Sequence, residues 1–323
     1  MSIAYEERYQ HEEGFGVFFA AHIAPVLEEV ETARLAARKE FNFRLAISFI
    51  VGIPVFAAAA LFGWDMVGPE DKDIFATGGI LAAAGAGFWV NRPRKRFLVA
   101  FKKQVLEPVA RFFDLDFEPD GLDLCTEFAD TGILHEHDER AHEDCFRGRY
   151  RDVNIAFEEI RLIRVRRTKR GKRRTTVFDG IAVMLRMNKE FQGHTIVKED
   201  LGSALNWFRD KVTRLETVTL EDPRFEDTFE VFSTDQVEAR YLLTPAFMDR
   251  LLAVSDAFGG AKLRACFLNN RLYLLIPYRK DLFEAASLSQ TVLETEPLRK
   301  VLVQINALRG IVDALKLNEK LGI

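Results

Sequence analysis

Two long apolar runs near the N-terminus dominate the hydrophobic pattern of this chain. Residues 45–64 read LAISFIVGIPVFAAAALFGW and contain no charge, which matches the roughly 20 residues needed to cross a bilayer core. Residues 74–90 read IFATGGILAAAGAGFWV, a shorter run in which small residues recur at every fourth position and favour close helix packing. The pattern therefore predicts a transmembrane hairpin over residues 45–90, with a short external loop at residues 65–73.

The charges beside these runs predict how the hairpin is oriented. Basic residues precede the first run and follow the second, whereas the loop DMVGPEDKD is mainly acidic. Because Lys and Arg remain on the cytoplasmic side of a membrane, we expect both termini in the cytoplasm. The alternative is a buried helical hairpin in a water-soluble protein, but core helices rarely exceed about 10–14 uninterrupted apolar residues.

Amphipathic helices are predicted on both sides of the hairpin. Apolar residues fall at helical spacing over residues 18–33 and again over residues 97–112. We therefore expect a cytoplasmic helix within residues 1–44 and a basic juxtamembrane helix within residues 91–115, which pack together as a stalk. In the alternative the first helix lies on the bilayer surface, but its polar face is acidic where Lys and Arg would be favoured.

From residue 116 onward the spacing of apolar residues changes to the alternation typical of strands. In a first run, from Ile155 to Leu162, the alternation of apolar and polar residues shifts by one position near Glu158 and Glu159. This shift predicts a strand with a β-bulge. A second run, from Ile181 to Met187, completes a hairpin. Strands and helices then alternate too irregularly for a parallel array, so the fold class is α+β over residues 116–323, as one domain or two subdomains.

Three later elements have clear local signals. Thr244 followed by Pro245 predicts the start of a helix that runs to Phe258. Asn269 and Asn270 separate two apolar runs and predict a two-residue hairpin turn, because asparagine tolerates positive φ. A final amphipathic helix is predicted over residues 298–317.

A strongly basic segment lies between the two alternating runs of the first hairpin. It reads RVRRTKRGKRRTT and contains no acid, so we expect a solvated basic hairpin at residues 164–174. The simplest interpretation is a hairpin without a dedicated ligand, and anionic lipid headgroups are the strongest specific one, ahead of RNA or an acidic protein segment. The residues predicted to contact lipid or another anionic partner are Arg92, Arg94, Lys95, Arg96, Arg166, Arg167, Lys169, Arg170, Lys172, Arg173 and Arg174.

The sequence offers one weak candidate for a metal site. His135, His137 and His142 lie among acids in HEHDERAHEDC, and histidines two apart on a strand would share a face. Their spacing matches no zinc signature, so an exposed acidic loop is the preferred interpretation. The three cysteines are widely and irregularly spaced, which argues against a disulfide framework and indicates buried small residues instead.

No motif in the chain indicates catalysis. Neither a Walker loop nor a GxGxxG turn is present, and no nucleophile lies in a recognisable elbow. We therefore predict no catalytic residue and no cofactor. The net charge of −4 gives no general reason to expect nucleic acid as a partner.

Several longer segments together are similar to a known family. They read HEDCFRGRYRDVNIAFEEIRL, FDGIAVMLRMNKEFQGHTIV, LEDPRFEDTFEVFSTDQVEARYLLTPAFMDRLL and NNRLYLLIPYRKDLFE. Over roughly residues 90–320 the chain resembles the bacterial membrane family catalogued as domain of unknown function 3137. The resemblance implies a bacterial inner-membrane protein and brings no established activity and no site residues.

Two functions from different classes are consistent with this sequence. The first is a membrane-anchored interaction or scaffold module, whose partners would be the bilayer, anionic lipid and a cytoplasmic protein. The second is a membrane-associated enzyme whose site is assembled from distant residues. An enzyme predicts a deep pocket with converging polar groups, whereas a scaffold predicts an exposed surface.

Overall fold

The structure is a computed structural model in which the chain forms two compact units. A helical unit comprises residues Met1–Pro108 and Glu284–Arg299, and a sheet unit comprises Val109–Phe283 and Lys300–Ile323. The structure describes residues 3–58, 72–168, 171–187, 190–199, 215–260, 262–278 and 282–317, and for residues 56 and 72–76 it describes the backbone alone.

Among the described residues of the helical unit, prolines lie in the first turn of a helix or, for Pro93, inside a continuous helix. Pro25 lies in the first turn of its second helix, where a missing N–H costs nothing. Pro54 lies directly after a π-helical turn, Ser48–Gly52, and such turns accommodate a break in the hydrogen-bond ladder. The helices are α1 (Phe15–His22), α2 (Ala24–Ile47), α3 (Ile53–Ala58), α4 (Lys72–Phe101) and α5 (Glu107–Phe112), the last of which crosses into the sheet unit.

Buried charges tie the N-terminal segment of the helical unit to its C-terminal segment. Arg299 donates to both carboxylate oxygens of Glu12, at 2.7 and 2.5 Å, and Tyr5 donates to the same carboxylate at 2.8 Å. On α2, Arg34 donates to the carbonyl oxygen of Leu288 at 2.7 Å. Because both arginines are almost fully buried, these contacts fix residues 284–299 against the first helices.

The two predicted membrane spans lie on these helices. Residues 45–58 run through the end of α2, a π turn and α3, with helical dihedral angles at both junctions, and residues 59–64 lie outside the described part. Residues 74–90 form the first half of α4, which continues into the predicted juxtamembrane helix. Among the described residues, no helix is both long enough and apolar enough to cross a membrane. The membrane hairpin therefore stays a prediction.

The sheet unit contains one antiparallel sheet of nine strands in the order β1-β2-β3-β4-β9-β8-β5-β7-β6. The predicted α+β class is confirmed by this sheet and its accompanying helices. The strands are β1 (Leu115–Glu118), β2 (Glu139–Tyr150), β3 (Val153–Thr168), β4 (Gly171–Arg186), β5 (Thr195–Glu199), β6 (Glu216–Thr217), β7 (Phe229–Ser233), β8 (Arg264–Leu268) and β9 (Arg271–Pro277).

The predicted hairpin is confirmed as β3 and β4, and a β-bulge lies beside Glu158. Pairing of β3 with β4 is continuous through Glu158 and Glu159, but pairing of β3 with β2 shifts register opposite Glu158, with the extra residue on β2. Within β3 itself the apolar pattern changes phase because the strand is covered on both faces, so apolar residues occupy both sides. Glu158 is a buried polar residue on one of these covered faces.

Local signals elsewhere in the sheet unit are confirmed. Thr244 accepts a hydrogen bond from the amide of Phe247, as an N-cap does, at 3.3 Å. Asn269 and Asn270 have φ values of 53° and 59° and form the turn between β8 and β9. The helices are α6 (Pro223–Glu226), α7 (Gln236–Leu242), α8 (Pro245–Ala257) and α9 (Glu296–Ala314), the last of which begins in the helical unit.

Both faces of the long strands carry packed cores. On one face Phe146, Phe157 and Phe283 form an aromatic cluster with ring centroids 4.7 to 6.2 Å apart. On the other, which we call the loop-covered face, the segment from Leu124 to Ile133 packs over residues of β3, β4, β8 and β9. Since β3 lies between these cores, the central strands form a rigid platform from which the hairpin extends.

Candidate functional site

The basic hairpin is the outer end of β3 and β4. Residues 166–168 and 171–176 are all exposed, and Lys169 and Arg170 lie outside the described residues. Pairing nevertheless continues to Thr168 and Gly171. The segment is therefore a two-stranded ribbon with water on both faces, in contrast to the doubly covered strands behind it.

Like charges face each other directly across this ribbon. Arg166 pairs in register with Arg173, and Arg167 pairs with Lys172. Like charges directly opposite one another destabilise a sheet. Within the described part of the chain, no carboxylate forms an ion pair with these four side chains. The outer hairpin is thus a concentrated positive charge that is open to solvent.

Nearer the sheet, the basic hairpin is partly neutralised. Arg164 forms an ion pair with Glu136 at 2.7 Å, and Arg174 forms one with Glu139. Asp138 also accepts a hydrogen bond from the amide of Val165 at 2.6 Å. The acidic segment that precedes β2 therefore holds the base of the hairpin, and the positive charge is strongest at its outer end.

The second set of predicted contact residues lies on α4 in the helical unit. Arg92, Arg94, Lys95 and Arg96 are all exposed. Lys95 lies 5.9 Å from the ring centroid of Phe88, which is 62% exposed. A cationic cluster thus adjoins an exposed apolar side chain on the same helix.

The three predicted histidines are not brought together as one strand face. His135 and His137 lie in the loop before β2, the preferred interpretation of this segment, and only His142 is in a strand, so the three histidines share no strand face. The ring of His135 packs against that of Phe178, with centroids 5.3 Å apart. Burial of His135, together with the charge of Arg264, lowers its pKa to about 4. Across the described residues, no three His, Cys, Asp or Glu side chains are arranged to hold a metal ion.

All three cysteines are free and buried. Burial raises the pKa of the Cys125 thiol to about 11 and that of the Cys145 thiol to about 12. Burial likewise raises the pKa of Cys266. The cysteines are therefore neutral packing residues at physiological pH, as the sequence predicts.

Glu158 is a buried structural carboxylate that lies opposite the bulge in β2. Its side chain is fully buried and accepts hydrogen bonds from the amides of Leu122, Asp123 and Leu124. His142 lies beside it, with Nδ1 3.8 Å from Oε1. Three amide donors satisfy the buried charge, so Glu158 anchors the segment that covers the sheet.

A second arginine-rich region lies at the opposite end of β3 and β4. Its arginines come from three separate stretches of the sequence and form no continuous basic segment there. Arg147 and Arg149 come from β2, Arg186 from β4 and Arg271 from β9. Together they line an open groove of about 680 Å³ that also contains Asp116. We call it the arginine groove. Only the strand register brings these residues together, and sequence reasoning missed them for that reason.

Comparisons with known proteins show what part of this chain resembles and indicate no activity. Residues 176–317 match the family model described as "Protein of unknown function (DUF3137)". The resemblance expected from the sequence is confirmed over that range. Comparison with curated proteins finds no match. A solved structure described as the mycobacterial trehalose monomycolate transport factor A, TtfA, is similar over 64% of this chain and 91% of that chain, with 10% identity and a TM-score of 0.34.

Proposed function

We propose that this protein is a membrane-anchored interaction module whose basic hairpin contacts anionic lipid headgroups. In this proposal residues 45–90 anchor the chain in a bacterial inner membrane, and residues 116–323 lie on the cytoplasmic side. A cytoplasmic protein partner would then be recruited to that surface. The observation that carries the proposal is the outer end of the basic hairpin, where four exposed cations face one another without acidic partners among the described residues.

Exposed apolar side chains in the helical unit support the anchor. Large apolar residues that face water are uncommon in clusters unless they meet a membrane or a partner. Besides Val17 and Phe43, they occur on α3, on α4 and on the π turn before α3. In these three segments, those more than half exposed are Phe49, Ile50, Val51, Ile53, Val55, Ile80, Leu81 and Phe88.

The charge distribution favours anionic lipid over RNA as the ligand of the hairpin. The whole chain is acidic, with a net charge of −4, which gives no long-range attraction for a polyanion. A membrane anchor instead raises the local concentration of headgroups. Each Lys or Arg near an anionic surface contributes about 1 kcal/mol, so four cations together would bind substantially. No feature within the described residues specifically favours the alternative of an enzyme.

The proposal is tested with a fluorescent label on the hairpin of the full chain in lipid nanodiscs. Because the native cysteines are buried, Thr175→Cys supplies the reactive thiol at an exposed position of β4. We expect lipid-borne quenchers to reduce the fluorescence in discs that contain phosphatidylserine, and not in discs of phosphatidylcholine alone. High salt should reverse the effect, because it screens the attraction.

The decisive variant removes the four outer charges. Replacing Arg166, Arg167, Lys172 and Arg173 with Gln should weaken the hairpin's lipid contact about a thousandfold, at about 1 kcal/mol per charge. The matched control removes four charges from α4, by replacing residues 92 and 94–96 with Gln, and should leave the signal of the hairpin label in place. The lipid role would be refuted if the quenching were the same in anionic and neutral discs. It would also be refuted if both variants abolished the quenching equally.

A further inference from the structure

The four arginines of the arginine groove project from the same face of the sheet. Residues directly opposite in an antiparallel pair share a face, and Arg147 pairs with Ala156, which pairs with Met184. Arg149 lies two residues beyond Arg147, and Arg186 two residues beyond Met184, so both point to that face as well. Arg271 pairs directly with Arg186. Three strands thus contribute guanidinium groups to one surface.

This surface is the uncovered end of the loop-covered face. Ala156 belongs to the core beneath the segment from Leu124 to Ile133, and Met184 packs against that core. Beyond this segment the same strands continue into the groove, which is open to solvent. The arginines are therefore mounted on rigid, well-paired strands, which is the arrangement that a preorganised binding site needs.

Positive charge in the arginine groove exceeds what its own carboxylates can neutralise. Arg147, Arg149 and Arg271 form ion pairs with Asp116, Asp152 and Glu127, at 4.0, 2.9 and 2.8 Å. All three carboxylates are at least half exposed, and such pairs are weak in water. Arg186 has no ion pair with any carboxylate of the described residues, although it lies opposite Arg271.

The spacing of the strands divides the groove into two cationic positions. Arg147 and Arg149 lie on β2, whereas Arg186 and Arg271 lie on β4 and β9. Because β3 separates β2 from β4, the two positions are about 10 Å apart at the backbone. A single small anion cannot engage both pairs fully, but a ligand with two or more anionic groups can.

We propose that the arginine groove binds a small molecule that carries at least two phosphate groups. The volume of about 680 Å³ is in the range of small-molecule sites and far exceeds one phosphate ion. Guanidinium groups bind phosphate oxygens in a bidentate manner. A bound polyanion would also relieve the repulsion between Arg186 and Arg271. This site is separate from the basic hairpin and does not depend on the lipid role of that segment.

Calorimetric titration of the full chain with inorganic phosphates tests the proposal. At constant ionic strength we expect saturable binding of tripolyphosphate, weaker binding of pyrophosphate and the weakest binding of orthophosphate, because longer chains reach both cationic positions. Arg186→Gln and Arg149→Gln, one from each position, should each weaken tripolyphosphate binding about tenfold. Both residues are exposed, so the variants are expected to fold, and their thermal unfolding is compared with the wild type.

The control is Arg240→Gln, which removes the same charge from an exposed position on α7 and should leave tripolyphosphate binding unchanged. Absence of saturable binding, or an equal loss with Arg240→Gln, would overturn the site. Citrate binding as tightly as tripolyphosphate would overturn the preference for phosphate. Competition by vesicles that contain phosphatidate, if lost in Arg186→Gln and kept in Arg240→Gln, would support the site and identify a lipid headgroup as the source of the phosphate.

Discussion

The basic hairpin and the arginine groove carry the same charge at opposite ends of the same two strands. From Asn154 to Thr168 the strand β3 spans about 45 Å, so the two regions cannot share a small ligand. The hairpin is a ribbon with water on both faces, whereas the groove adjoins the packed core of the loop-covered face. A charged ribbon open to solvent suits an extended anionic surface, and a set of arginines mounted on well-paired strands suits a compact polyanion.

The largest expected effect concerns the core of the loop-covered face, which adjoins the arginine groove and which the outer hairpin lacks. Glu158→Gln removes a buried charge that accepts three amide hydrogen bonds, and should lower the free energy of unfolding by about 3 kcal/mol. Chemical denaturation measures this loss, with Glu139→Gln as an exposed control at the base of the hairpin. Equal stability of the two variants would contradict the structural role of Glu158.

A pH titration tests the same core. Because the folded protein holds the pKa of His135 at about 4, below its ordinary value of 6.5, the unfolded chain binds a proton more readily between these values. Stability is therefore full above pH 6.5 and falls as the pH drops towards 4, by about 2 kcal/mol at pH 5. Urea denaturation should show that the free energy of unfolding changes less between pH 7 and pH 5 for His135→Leu than for the wild type. The same change in both proteins would count against the burial of His135.

The smallest expected effect concerns the like-charge pairs across the ribbon. Arg173→Glu places an acid opposite Arg166 and should raise the free energy of unfolding by about 0.5 kcal/mol at low salt. Arg173→Gln, which only removes the repulsion, should give part of this gain. Thermal unfolding at low and high salt measures both, and the gain should shrink as salt increases. A variant without any stabilisation at low salt would show that the paired cations do not repel as the register implies.

The sequence predicts features that are local along the chain better than features that depend on pairing. The N-cap at Thr244, the turn at Asn269 and Asn270 and the hairpin of β3 and β4 follow from adjacent residues, and the structure confirms them. The bulge expected near Glu158 lies opposite that residue, but its extra residue is on β2, which the sequence of β3 alone does not reveal. The arginine groove depends on the register of separate strands, which one sequence does not reveal.

The central claim, a membrane-anchored module with a cytoplasmic sheet unit, is tested most directly by topology. A reporter active only in the cytoplasm is fused to the C-terminus and, separately, inserted at Pro69 between the two apolar runs. We predict an active reporter at the C-terminus and an inactive one at Pro69. Activity at both positions would contradict the anchor, and an inactive C-terminal reporter would contradict the orientation that places the basic hairpin at the cytoplasmic face.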